Sequence, residues 1–386
     1  MGSARFGEGS KSMGHEKLAK EGSEGHPPAR IGVIGAGWFV SRRHLPDVQR
    51  SANLTLTALC RRDDAARTRM AEHFEVAPEN AFADWQQMLD TAPLDAVLIA
   101  TPNSLHFEQA QAALEKGLHV LLEKPMTIRS DHAHALVRLA REKNLKLGVA
   151  LNPPYWAHCH RARRALAGEA MGPVESVSMY WSGTADYLFG KGPQPENMPG
   201  VVPPTSYRSD PELNGGGYFV DGGPHMVSEL IWVTGQRIRR VTAFMDETPS
   251  DMRTTLSVEF ENGAVGTLNS IGNSRYPQRR VLNIFGCAHG MVQIKNFDFE
   301  TTISRVGTES ERFKEADLIS VGTPVGNFAD AIQGLAPLFS PGEHGAHVVE
   351  VVEAAYHSAA TGQAVTLNLP DGPEAAAAVG RARILH

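Results

Sequence analysis

Residues 30–40 read RIGVIGAGWFV, a short apolar run that stops at Gly35-Ala36-Gly37 and passes directly into the helix-like stretch 38–51, WFVSRRHLPDVQRS. An unbroken apolar run, then glycines, then helical spacing predicts strand, tight turn and helix. Gly35 supplies the turn. Gly37, lacking a Cβ, lets a phosphate approach the backbone where the helix start carries partial positive charge. This is the context of a dinucleotide fingerprint, with Trp38 and Phe39 the first helical residues beside the nucleotide. The third glycine of G-x-G-x-x-G is replaced by Val40, which alters helix–strand packing and leaves the phosphate approach open.

The same alternation recurs downstream: LTLTALC then DDAARTRMAEHF, LDAVLIATP then SLHFEQAQAALEKG, HVLLEKP then SDHAHALVRLAREKN, and LKLGVAL. Apolar strands without polar alternation are buried on both faces, and strands separated by helices imply a parallel sheet with right-handed crossovers. Residues 30–151 are therefore expected to form a doubly wound α/β domain of Rossmann type. From 152 the pattern changes. Candidate strands 173–183, 238–246, 254–272, 278–286 and 291–296 follow one another with few helices, and ENG and AHG read as hairpin turns. Residues 152–386 are expected to be an α+β substrate-binding and oligomerisation domain around a mainly antiparallel sheet. Residues 1–29, rich in Gly, Ser, Lys and Glu without an apolar core, read as a mobile tail or an appended remnant.

A chain of 386 residues suits two domains, and three widely spaced cysteines argue against a disulfide framework and for a reducing, cytoplasmic setting. The formal net charge of −6, without a basic block interleaved with aromatics, argues against nucleic acid as a partner, and no apolar run is long enough to span a membrane. A small ligand is the expected partner.

The second strand ends in ALCRRDD, so Arg61 and Arg62 stand where an acid usually takes the ribose 2′-hydroxyl of NAD. A guanidinium pair suits a 2′-phosphate and favours NADP over NAD, unless Asp63 or Asp64 does the ribose work. The next two strand ends, ATPNSLH and EKP, bring Thr101, Pro102, Asn103, His106, Glu123 and Lys124 to the carboxyl edge of the sheet, where ligands of such folds bind. A second glycine-rich stretch, GGGYFVDGGPHMVSEL at 215–230, holds Asp221 and His225 four residues apart, hence on one face of a helix. Pro224 is expected in the first turn, which starts that helix near Asp221 or Gly222. Its glycines read as clearance for a polyhydroxylated substrate. Tyr187 and Tyr207-Arg208, in the long loop 184–214, are candidate substrate contacts. The triplet His158-Cys159-His160 is not expected to bind metal, because adjacent helical residues diverge and no second cluster has zinc-like spacing. His44 is read as structural.

The order GVIGAG, ATPNSLH, EKP, GGGYFVDGGPH resembles the Gfo/Idh/MocA oxidoreductases, over nearly the whole chain from residue 30. The resemblance implies a Rossmann domain joined to an open-faced sheet domain, a cis bond at Lys124-Pro125, and a homodimer or homotetramer. It also implies hydride transfer between a nicotinamide and a secondary hydroxyl or ketone of a sugar, cyclitol or glycoside. Lys124 is the lysine of the EKP motif, Asp221 the helix acid and His225 the acid/base. The chemistry agrees: histidine has a suitable pKa for the hydroxyl proton, and a lysine beside the same oxygen stabilises alkoxide character. Two positions depart from the family pattern. Ser228 stands three residues after His225 where an acid is common, and LNPPYW replaces an arginine-aromatic pair, which makes Tyr155 a candidate substrate contact. The rival functions are an NAD-dependent glycoside hydrolase with transient oxidation and a nucleotide-sensing regulator of the same fold.

Overall fold

In the computed structural model, which describes residues 27–168, 170–193, 200–276, 278–296 and 298–367, the run before Gly35 forms strand β1 (Ala29–Ile34). Five parallel strands join it: β2 (Leu54–Cys60), β3 (Ala81–Phe82), β4 (Ala96–Ile99), β5 (His119–Leu122) and β6 (Leu147–Val149), in the order β3-β2-β1-β4-β5-β6. Strand order reverses on either side of β1, and that switch point is where open α/β sheets bind ligands. Ile31, Val33, Val97, Ile99, Val120 and Leu122 are all fully buried, which accounts for the unalternated apolar runs. Most of the segment assigned to the tail lies outside the described residues.

The stretch 38–51 is two helices rather than one, α1 (Trp38–Arg42) and α2 (His44–Arg50), broken at Arg43 with φ −122°. Pro46 explains the break. It has no N–H for the Arg42 carbonyl, and its ring would collide with that carbonyl in a continuous helix. Helices α3 (Asp64–His73), α4 (Trp85–Thr91), α5 (His106–Glu115) and α6 (Ser130–Glu142) complete this half. The short α4 was not expected; Asp84 caps it by accepting from the Gln87 N–H at 2.8 Å.

The second half begins with α7 (Ala157–Gly168), α8 (Pro211–Asn214) and α9 (Tyr218–Thr234), and ends with α10 (Pro324–Ile332) and α11 (Gly342–Thr361). Its nine strands are β7 (Val174–Ser182), β8 (Ile238–Met245), β9 (Arg253–Phe260), β10 (Val265–Ile271), β11 (Arg280–Cys287), β12 (Gly290–Lys295), β13 (Glu300–Arg305), β14 (Glu311–Phe313) and β15 (Val365–Thr366). They lie in the order β14-β13-β12-β11-β7-β10-β9-β8-β15, with β10 and β7 the one parallel pair among the described strands of this sheet. Alternation is strict on β9, whose residues are exposed and buried by turns, because helices cover only one face. The other face carries Phe244 and Val265, 76% and 57% exposed. Helix α10 returns to the first sheet: Val325, Phe328 and Ala329 are buried in the cluster built by Val33, Leu98 and Leu121.

Helix α9 starts at Tyr218, earlier than expected, and Pro224 lies inside it. The cap comes from far away in sequence. Asp251 accepts the Tyr218 N–H on its carbonyl at 2.7 Å and the Phe219 N–H on its carboxylate at 3.0 Å, and the Tyr356 hydroxyl accepts the Gly217 N–H at 3.0 Å. With its first turn satisfied this way, α9 tolerates the single hydrogen bond that Pro224 removes.

Candidate active site

Gly35 has φ +87°, and a Cβ there would stand 2.6 Å from the Ala100 carbonyl, so the turn between β1 and α1 requires glycine. At Gly37 a Cβ would meet nothing nearer than Arg61 Nη1, at 3.4 Å, so the backbone is open to a phosphate. Gly37 gives α1 no side-chain cap, and the first helical residues that follow it are Trp38 and Phe39. Their rings pack on protein. Phe39 meets His44 edge-on at 5.4 Å, and Arg42 lies over Trp38 at 4.8 Å.

Arg61 donates to the Ala36 carbonyl at 3.1 Å, while its Nε is buried with no partner among the described residues. Burial lowers its pKa, and the nearby Asp63 only partly offsets this. Arg62 is exposed beside it. Asp63 is committed to capping α3, accepting the Ala66 N–H at 2.7 Å, and Asp64 pairs with Arg67 at 2.7 Å. Asp63 and Asp64 are thus engaged by their own helix, while Arg61 and Arg62 supply guanidinium donors at the end of β2 whose chemistry would fit the phosphate of a dinucleotide.

Lys124 follows β5 across a cis bond to Pro125, as the resemblance implied. Glu123 is held by the protein itself. It accepts from His44 Nε2 at 2.6 Å and from the Lys124 N–H at 3.0 Å. Burial would raise its pKa, but the His44 hydrogen bond and charge and the nearby Lys124 outweigh burial and leave it lowered.

The Lys124 ammonium crosses to α9, where Nζ lies 2.7 Å from Asp221 Oδ1 and 3.0 Å from the Asp221 carbonyl. Arg208 Nε reaches the same Oδ1 at 3.0 Å. Burial opposes the Asp221 charge, yet Arg208 and Lys124 hold the carboxyl far below the usual carboxylate range. Burial likewise opposes the Arg208 charge, and Asp221 more than offsets it. One carboxylate thus lies between two cations, and Glu123 adds a second negative charge beside Lys124. At His225, burial first and then the Lys124 charge outweigh the opposing pull of Asp221 and Glu123 and push the imidazole down to about 3, so it is neutral at pH 7. Its Nδ1 is buried without a partner among the described residues, and Trp156 lies 6.4 Å away, ring to ring.

Several expected contacts are structural. Asn103 donates to the Asn214 carbonyl at 2.8 Å and is buried. His106 is wholly buried between the Pro125 and Thr101 carbonyls, at 2.9 and 3.0 Å, and Thr101 Oγ1 is turned to Gln109 at 2.6 Å. Pro102 is half-buried beside them. Tyr155 donates to Asn327 at 3.1 Å in a buried position, so its hydroxyl is not offered to a substrate. Tyr187 is half-buried in a short helical turn, Asp186–Phe189. The glycines of 215–223 make room for protein rather than substrate: a Cβ would meet Ile128 from Gly215, Tyr356 from Gly216, Asp251 from Gly217, Tyr218 from Gly222 and Phe219 from Gly223. Sequence reasoning missed Trp156 and Asp251, because nothing local to either marks the partner it meets. Tyr207 stacks on Arg208 at 4.7 Å, and burial pushes its hydroxyl up to about 12.

A glycine turn at the sheet's switch point and a strand-end lysine paired with the helix that carries a neutral histidine are what a nicotinamide-dependent oxidoreductase needs. Residues 29–151 match the family described as oxidoreductase family, NAD-binding Rossmann fold, and residues 159–292 match the GFO/IDH/MocA C-terminal domain. Together these span well over half of the chain, which belongs to the Gfo/Idh/MocA family and is an NAD(P)-dependent oxidoreductase. The chain is 28% identical over 350 residues to D-xylose 1-dehydrogenase (NADP(+)) 2 of Haloferax volcanii, covering 88% of this chain and 99% of that protein. D-glucoside 3-dehydrogenase of Escherichia coli is 24% identical over 369 residues, covering 88% and 98%. Among solved structures, an inositol dehydrogenase homologue from Azotobacter vinelandii with NAD+ has a TM-score of 0.75 at 22% identity, covering 88% of this chain and 97% of that one. No helix among the described residues is long and apolar enough to cross a membrane.

Proposed function

We propose that the protein oxidises a secondary hydroxyl of a sugar, cyclitol or glycoside, or reduces the corresponding ketone, with His225 as acid/base. The observation that carries this reading is the Lys124–Asp221–Arg208 cluster beside a neutral His225. A bound nicotinamide supplies the hydride acceptor or donor. In the oxidative direction His225 accepts the hydroxyl proton at Nε2, since Nδ1 is buried. Lys124 donates a hydrogen bond to the same oxygen, and the ammonium charge at that point favours its alkoxide form. Asp221 holds Lys124 in place and accepts from a neighbouring substrate hydroxyl. NADP is the preferred cofactor, because Arg61 and Arg62 stand where a ribose acid would and Asp63 caps a helix. Relatives named for xylose and glucoside dehydrogenases support a sugar-class substrate.

We propose residues 30–151 and 152–386 as the cofactor and substrate domains, and a homodimer or homotetramer formed through the open sheet face bearing Phe244 and Val265. Incubating the protein with a panel of sugars and inositols, and NADP or NAD, tests the function. Growth of reduced-cofactor absorbance with at least one polyol supports it. Bond cleavage of a glycoside without net cofactor turnover would favour a hydrolase instead.

A further inference from the structure

Away from that cleft, α7 and α9 bring three donor types together. His158, Cys159 and Glu229 each offer one ligand atom, all within 4.8 Å of one another, and the residues are 0%, 0% and 1% exposed. Two of these side chains have a buried atom with no hydrogen-bond partner among the described residues: His158 Nε2 and Glu229 Oε2. Such orphan atoms are costly in a dry interior unless something occupies the space between them.

The opposite side of each ligand is already fixed. His158 Nδ1 meets Glu315 Oε2 at 2.9 Å, and Asn283 Nδ2 donates to Glu229 Oε1 at 2.7 Å. Phe299 stacks flat on the His158 ring at 4.2 Å and 8°. A carboxylate on the far nitrogen of a histidine is the arrangement that orients a metal-binding imidazole, and it leaves Nε2 as the lone-pair nitrogen. The third residue of the triplet plays no part, since His160 Nε2 meets the Pro154 carbonyl at 2.8 Å.

We infer that His158, Cys159 and Glu229 bind one zinc-class divalent cation that ties α7 to α9, the helix carrying Asp221 and His225. Nitrogen, thiolate sulfur and carboxylate oxygen together suit zinc, and one thiolate plus one carboxylate balance its two charges, which a buried site demands. Tetrahedral zinc with bonds of about 2.0–2.3 Å sets its ligand atoms roughly 3.5 Å apart, so side-chain rotations of about an ångström close the cluster. On binding, the Cys159 thiol loses its proton to solvent, as does Glu229 where it is protonated, and no bond to carbon changes.

The test uses the full chain, loaded with zinc or cobalt(II) both in the folded state and by refolding in the metal's presence, then desalted. One equivalent retained per chain by elemental analysis is expected, with a thiolate-to-cobalt charge-transfer band in the cobalt form. In Cys159→Ala the band disappears, and in Glu229→Gln retention falls at least tenfold. Absence of retained metal in the wild-type chain overturns the inference and leaves a direct His158–Glu229 hydrogen bond as the use of these atoms. Retained cobalt without a thiolate band overturns it too, and this reading needs no variant to fold.

Discussion

The Lys124 ammonium, at the end of a parallel strand in the first half of the chain, lies 2.7 Å from the Asp221 carboxylate on a helix of the second half. Both side chains are largely buried, 10% and 14% exposed, and Arg208 shares the same oxygen. A buried pair is weak evidence for stability, because desolvation offsets attraction. Its value here is placement: it fixes one cation at the helix that carries His225, where the proposed mechanism needs it.

Lys124→Met should therefore lower kcat by about 10²–10³ while the chain stays folded, since Arg208 still neutralises Asp221. Steady-state kinetics paired with circular dichroism check this. A variant with near wild-type kcat would assign Lys124 to the scaffold.

Arg208→Met removes one of the two cations on Asp221, so the remaining net charge beside His225 falls by one. With a substrate found, the acid limb of its kcat/KM profile should move upward, because a less positive surround makes imidazolium easier to form. An unmoved limb would uncouple Arg208 from His225.

The buried histidines set a pH window for stability. His225 and His344 are both pushed from 6.5 to about 3, chiefly by burial. The unfolded chain binds protons at about 6.5 that the folded chain refuses, so this stability is complete above that pH and is lost as pH falls toward 3. By pH 5 each group costs about 2 kcal/mol. Thermal unfolding between pH 7 and pH 5 should show a steady fall, and His344→Asn should flatten it.

Replacing both Arg61 and Arg62 by serine should cost about tenfold or more in NADP affinity with little effect on NAD, because the 2′-phosphate loses its charge-assisted partners. Cofactor titration by fluorescence reads this. Equal weakening of both cofactors would mean that Arg61 acts only through its hold on the Ala36 carbonyl.

Tyr155→Phe is expected to leave KM unchanged and to lower stability by about 1 kcal/mol, since the hydroxyl serves Asn327 alone among the described side chains. Asn327 keeps the Phe339 N–H at 2.9 Å. A raised KM would return Tyr155 to the substrate pocket.

The parts of this fold that were legible were those with local causes. Unalternated apolar strands and glycine at the first turn announced the parallel sheet, and the spacing of Asp221 and His225 announced a shared helix face. The start of α9 was not legible, because its cap, Asp251, lies more than thirty residues downstream of Tyr218. The roles of the glycines at 215–223 were misread for the same reason: Ile128, Tyr356 and Asp251 fill the space, and each comes from a distant segment. Asn103, His106, Glu123 and Tyr155 carry reactive-looking groups whose partners, supplied by tertiary structure, turn them into supports for the site.

The central claim is that a neutral His225 takes the substrate proton, and single-turnover reduction of bound cofactor in His225→Asn tests it most directly. The account predicts unchanged cofactor binding and a reduction rate lowered by about 10²–10⁴, with activity recovering as pH is raised and the substrate hydroxyl ionises unaided. A wild-type rate at neutral pH would contradict it.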